Sequence, residues 1–158
     1  MKKTILSIIS RLAGRRYRSM LACANIAAGT HEGAITKLAD AAITTRFLLV
    51  TFGTDAAHIA VNGASDNPLG VCTDEAAAAE EPVNVALLGA GAQTVKMVAS
   101  EAVDAGEEVY SAASGKVSDL PTAAGTYYRV GKALDEATAD GDEIEVDPYP
   151  PQAVVVSE

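Results

Sequence analysis

The stretch that most invites a chemical reading is residues 83–94, VNVALLGAGAQT, in which an apolar run climbs into Gly89-Ala90-Gly91. In dinucleotide-binding folds a strand of this kind ends in Gly-x-Gly and opens a helix, so that backbone N–H groups and the helix N-terminus meet a pyrophosphate. That chemistry needs a third small residue within a βαβ unit, and an acid about twenty positions on to hold the ribose. Here Ala92 and Gln93 lead to Thr94 in the third small position. The next apolar run ends in Ser111, Ala112, Ala113 and Ser114, with no acid, while Glu107 and Glu108 open it instead. No further βα unit follows. Alternation over residues 94–98 suits a half-buried strand as well as a helix. The expectation is therefore a Gly-rich hairpin joining two strands. A nucleotide-binding enzyme fragment using the Gly89-Ala90-Gly91 loop is the alternative.

Other reactive side chains are scattered. His31 and His58 have no Cys or His at ligand spacing. Asp74-Glu75 and Asp135-Glu136 are adjacent pairs, which in a strand point to opposite faces and cannot work together as acid and base. They read as solvated corners. Cys23 and Cys72 fit neither a metal spacing nor a disulfide framework, so reduced, packed thiols are expected, which suits an intracellular origin. There is no Gly-x-Ser-x-Gly elbow and no P-loop. The expectation is a protein without catalytic residues, cofactor or metal.

The charge is divided between two regions. Lys2, Lys3, Arg11, Arg15, Arg16 and Arg18 precede the first acid, Glu32. The remainder carries six basic and twenty-one acidic residues, a formal charge of −15. An acidic body repels nucleic acid, whose phosphates need cationic neutralisation, so no direct nucleic-acid partner is expected. The opening residues begin like a signal peptide, but the apolar run stops at Ser10-Arg11 and is too short for one, or for a membrane span. Ile5, Ile8, Ile9 and Leu12 fall at helical spacing with the bases mostly elsewhere, as in a short basic amphipathic helix or arm. Docking on a protein is the simpler reading of that stripe. A membrane-peripheral protein anchored by residues 1–18 is the alternative.

These groups must be held by something, and the chain between them alternates short apolar runs with turns. Strand candidates lie at 46–53, 58–61, 67–73, 83–89, 94–100, 107–114, 126–134, 142–148 and 153–157, with glycines between or at the ends of the runs. Residues 35–46 are Ala-rich enough for a helix, but a strand and turn are expected there. GVCTDEAAAAEEPVNV from Gly70 echoes GKALDEATADGDEIEV from Gly131, matching Asp74, Glu75, Ala76, Ala78 and Val85 to Asp135, Glu136, Ala137, Ala139 and Val146. Each unit reads as a strand, an acidic Ala-rich corner and a second strand. Aromatic content of only 4% leaves the core to Ala, Val, Leu and Ile. The fold expected is all-β: a small barrel or sandwich of short strands over residues 29–158, behind a basic arm and connector at 1–28.

DNPLGVCTDEAAAAEEPVNVALLG, EAVDAGEEVYSAASGKV and GTYYRVGKALDEATADGDEIEV together resemble the capsid decoration, or cement, proteins of tailed bacteriophages. The shared features are a P-x-G-V strand with an Ala/acid corner, an A-G-x-x-V-Y strand with a Gly-Lys turn, and a V-G-x-A-L strand with G-D before the last strands. The resemblance covers residues 31–150 and leaves the arm outside it. It implies a non-enzymatic β-barrel protein made in the host cytoplasm and placed on the outer surface of the virion. There it would bind the major capsid protein, as a trimer, and stabilise contacts between capsid subunits. The residues expected to meet a partner are those of the arm: Ile5, Ile8, Ile9, Leu12, Arg11, Arg15, Arg16 and Arg18.

Overall fold

The computed structural model describes residues 32–157. They form strands β1 (Ala34–Ala39), β2 (Leu49–Phe52), β3 (His58–Val61), β4 (Gly70–Cys72), β5 (Pro82–Leu87), β6 (Val95–Val98), β7 (Glu108–Ser111), β8 (Val117–Ser118), β9 (Gly125–Ala133) and β10 (Glu143–Val156), with one 3-10 turn at Ala113–Gly115. The fold is all-β, as expected. The expected arm, with Ile5, Ile8, Ile9, Leu12 and its arginines, lies outside the described residues, as do Cys23 and His31.

The first five strands close into a barrel in the order β1-β3-β2-β4-β5. Within it β1 runs parallel to β3 and every other pair is antiparallel. The last five form a sheet in the order β6-β10-β9-β7-β8, and a parallel bridge from Ala99 to Val117 brings the two ends of that sheet together. Moving five strands along the chain converts each pairing of the barrel into one of the second sheet. Thus β1–β5 becomes β6–β10, β4–β5 becomes β9–β10, β2–β4 becomes β7–β9, β2–β3 becomes β7–β8, and parallel β1–β3 becomes the bridge at Ala99. The described residues thus repeat one five-stranded pairing pattern in tandem.

Details of the turns confirm the equivalence. Ile43 and Ala76 exchange two backbone hydrogen bonds, and so do Val103 and Ala137. Phe47 and Gly106 both take a left-handed backbone, φ 65° and 93°, and donate to Cys72 and Ala133 respectively. The echo between the segments at Gly70 and Gly131 is the part of this repeat that shows in side chains.

A five-stranded barrel is narrow inside, so small aliphatic residues fill it. The first core holds Val50, Ile59, Ala76, Val83 and Val85. The second holds Met97, Val109, Val130, Ile144 and Val146, together with Leu49 and Val71 from the first half. Phe47 packs against both. The pleat explains the pattern in β10, where Ile144 and Val146 are buried between exposed Glu143, Glu145 and Asp147. The halves are stitched together at the end of β3. Gly115 N–H donates to Asn62 O at 2.8 Å, and Ser111 Oγ donates to Ala64 O at 2.6 Å. Gly115, at φ 71°, would place a Cβ 2.7 Å from Leu49 O, so only glycine fits this contact.

Three expectations need correction. The Gly-rich segment after β5 is not a hairpin, because β5 and β6 do not pair and belong to different halves. It is the connector between the units. The runs at 142–148 and 153–157 are one strand, β10, whose register against β9 shifts between Pro148 and Gln152. β8 was not anticipated, since two residues carry no alternation.

Candidate functional site

The connector shows what the suspected nucleotide loop does. Thr94 precedes strand β6, so no helix N-terminus follows the glycines and there is no dipole to hold a diphosphate. Gly89 sits at φ 71°, and a Cβ there would lie 2.5 Å from Pro150 Cγ. A Cβ on Gly33 would come within 3.3 Å of Gly91 Cα. The glycines let the connector pass close to β10 on one side and the start of β1 on the other. Their chemistry is packing.

His58, on β3, is held between two acids. Its Nδ1 lies 2.7 Å from Asp55 Oδ1 and its Nε2 3.1 Å from Glu80 Oε1. The bond to Asp55, then that to Glu80, raises the imidazole above its ordinary value, and the same bond to His58 lowers the Asp55 carboxyl. With both ring nitrogens engaged, His58 has no free lone pair for a metal or a proton-transfer partner. It ties β3 to the corner before β5. Beside it Asp40 caps Thr54, accepting from the backbone N–H at 2.7 Å and from Oγ1 at 2.9 Å.

The paired acids are corners, as expected, and each has a backbone task. Asp74 accepts from Asn84 N–H at 3.3 Å, and Asp135 accepts from Glu145 N–H at 2.6 Å. Further along each corner, Glu81 accepts from Ala77 N–H and Asp142 from Thr138 and Ala139 N–H. These bonds from Thr138 and Ala139 hold the Asp142 carboxyl below the usual carboxylate range. Glu75 lies 3.9 Å from Arg46, both exposed. Nothing in this arrangement pairs an acid with a base across a cleft. Cys72 is a buried free thiol whose pKa burial pushes up, which makes it inert.

Two open depressions lie among the described residues. One, of about 310 Å³, is lined by Glu107, Glu108, Tyr110, Asp119 and Leu120. The other lies at the first corner, between Ile43, Thr44, Glu75, Ala76, Ala77 and Glu81. In the first, burial and then the Glu108 carboxylate raise the Tyr110 phenol, and Arg129 pairs with Glu108 at 2.7 Å. Beyond Tyr128, β9 and β10 continue past β7 as a two-stranded ribbon, on which Val155 is 75% exposed. The sequence reading missed this surface, because only the register shows that the two strands overshoot.

A family model for phage cement proteins matches residues 29–148 of the chain. No curated protein matches it. Among solved structures it is similar to the crystal structure of the head fiber gp8.5 N base in bacteriophage phi29. Identity there is 16%, the match covers 75% of this chain and 95% of that one, and the TM-score is 0.55. That likeness bears on the fold alone.

Proposed function

The chain belongs to the phage cement protein family, and from that premise we propose that it binds the outside of a phage head and ties neighbouring major capsid subunits together. The family match over both units carries this reading. The repeat supports it: a barrel and a sheet of matching strand order, joined by a short connector, place two related surfaces on one chain, and a linked pair of contacts holds more strongly than either alone. The protein acts by binding rather than catalysis, as a trimer on the head, in the virion, after synthesis in the host cytoplasm. Binding that favours the assembled shell over free subunits stabilises the shell by mass action.

The arm at 1–28 takes the role of a tether. Its apolar stripe, Ile5, Ile8, Ile9 and Leu12, docks on a protein surface, while Arg11, Arg15, Arg16 and Arg18 find acidic groups on the capsid or on the −15 body of a neighbouring copy. Neither nucleic acid nor membrane is a direct partner. Purified protein mixed with heads that lack it tests the reading. Saturable co-sedimentation at a fixed number of copies per head is expected. Absence of binding to heads would overturn it.

A further inference from the structure

We propose that the β9–β10 ribbon is the surface through which copies of this chain meet one another. The ribbon pairs Gly125 with Val156, Thr126 with Val155 and Tyr127 with Val154, beyond Tyr128, whose N–H still donates to Ser111 Oγ of β7. Nothing in the first unit corresponds to it, since β4 has only three residues where β9 has nine. It is therefore an addition to the repeated pattern rather than a part of it.

Its composition departs from the rest of the body. Residues 120–128, LPTAAGTYY, and 149–157, YPPQAVVVS, contain no charged side chain, in a region of formal charge −15. Two such bodies repel wherever their acidic faces approach within about a Debye length, ~8–10 Å. A contact between copies needs a surface free of that charge, and the ribbon supplies one. Val155, at 75% exposure, adds apolar area that gains by leaving water.

The strand edge supports the same occupant. Proteins shield exposed edges with proline or charge. β10 carries Pro148, Pro150 and Pro151 up to the register shift and no proline or charge afterwards. β6 covers its other edge only over 143–146. Among the described residues, the backbone of 152–156 bonds to β9 alone. Among the described residues, this Val-rich edge lacks the prolines that shield the segment before it, as an edge covered by a second copy would.

The inference deepens the trimer of the proposed function, but it is read in solution without heads, so its failure leaves head binding standing. The full chain is followed by sedimentation from low micromolar to a few hundred micromolar. The wild type is expected to self-associate. Val155→Lys, at an exposed site that tolerates the change, is expected to weaken association by at least about tenfold, whereas Val155→Thr keeps it within a few-fold. Far-UV circular dichroism checks that both variants fold. A wild type that stays monomeric throughout would overturn the proposal, even if it still bound heads through the ribbon. Folded Val155→Lys associating as tightly as wild type would overturn it too.

Discussion

Glu80 and Gly141 occupy the same corner in the two units, and both take a left-handed backbone, φ 68° and 95°. Glu80 N–H donates to Ala39 O at 2.8 Å, and Gly141 N–H donates to Ala99 O at 2.9 Å. The turn needs that conformation whichever residue fills it. Glu80 bears the steric cost while its carboxylate holds His58; Gly141 avoids the cost. Around Gly141 a Cβ would meet nothing within 4 Å, so the penalty for adding one is purely conformational.

Gly141→Ala should therefore destabilise the protein by roughly 1–2 kcal/mol, and Gly141→Asn by less, because Asn visits the left-handed region more readily. Urea unfolding midpoints measure both. Equal midpoints for Gly141→Ala and wild type would show that the corner relaxes.

The matched glycines at Gly70 and Gly131 make a different prediction, since their limit is space. A Cβ on Gly70 would lie 2.3 Å from Ala86 O and 2.6 Å from Val85 Cγ1; one on Gly131 would lie 2.4 Å from Val146 Cγ1 and 2.6 Å from Asp147 O. The two glycines face the same valine of the same neighbouring strand in each unit. Alanine at either site should cost about 1–3 kcal/mol as overpacking, and trimming the facing valine to alanine should recover part of the loss. Additive losses in the double variants, with no recovery, would separate the glycine from the valine.

The His58 cluster should give the stability a pH dependence. Its raised pKa means that His58 stabilises fully below the unfolded value, about 6.5, and that this contribution is lost as pH rises through the folded value. The lowered pKa of Asp55 means that its contribution is present above about 3.9 and lost as pH falls through the folded value. The advantage of wild type over His58→Gln should thus be largest between about pH 4 and 6.5 and shrink toward alkaline pH. Tm measured for both proteins from pH 5 to 9 tests this. A gap that does not change with pH would contradict it.

For the arm, a chain beginning near Gly29 should keep the β body folded and bind heads more weakly. Replacing Arg11, Arg15, Arg16 and Arg18 with Gln should weaken attachment more at low salt than at high salt, where screening has already removed part of the attraction. Equal occupancy and affinity of truncated and full chains would make the arm dispensable.

How far the sequence reveals this molecule differs from element to element. β3 was legible because HIAV is a short apolar run closed by Asn62-Gly63, a local signal for a local structure. Pro148, Pro150 and Pro151 look like a stop and split β10 into two runs, yet proline is tolerated where a strand edge faces no partner. The acidic corners were visible, and with them one part of the repeat. The rest was not, because equivalent positions such as Phe47 and Gly106 share a backbone conformation and no side chain. Parallel pairing of β1 with β3 depends on contacts far apart in sequence, which no local pattern encodes. The family resemblance was legible in the ensemble of turns and corners. The exposed ribbon was not, since its exposure follows from register.

A protein that ties capsid subunits together must strengthen the assembled shell. Heads with and without it, otherwise identical, are heated while released DNA is followed by dye fluorescence. Heads lacking the protein should release DNA at a lower temperature, and adding the purified full chain back should restore the difference in proportion to occupancy, because a ligand that prefers the intact shell stabilises it. The same release temperature with and without bound protein would contradict the account.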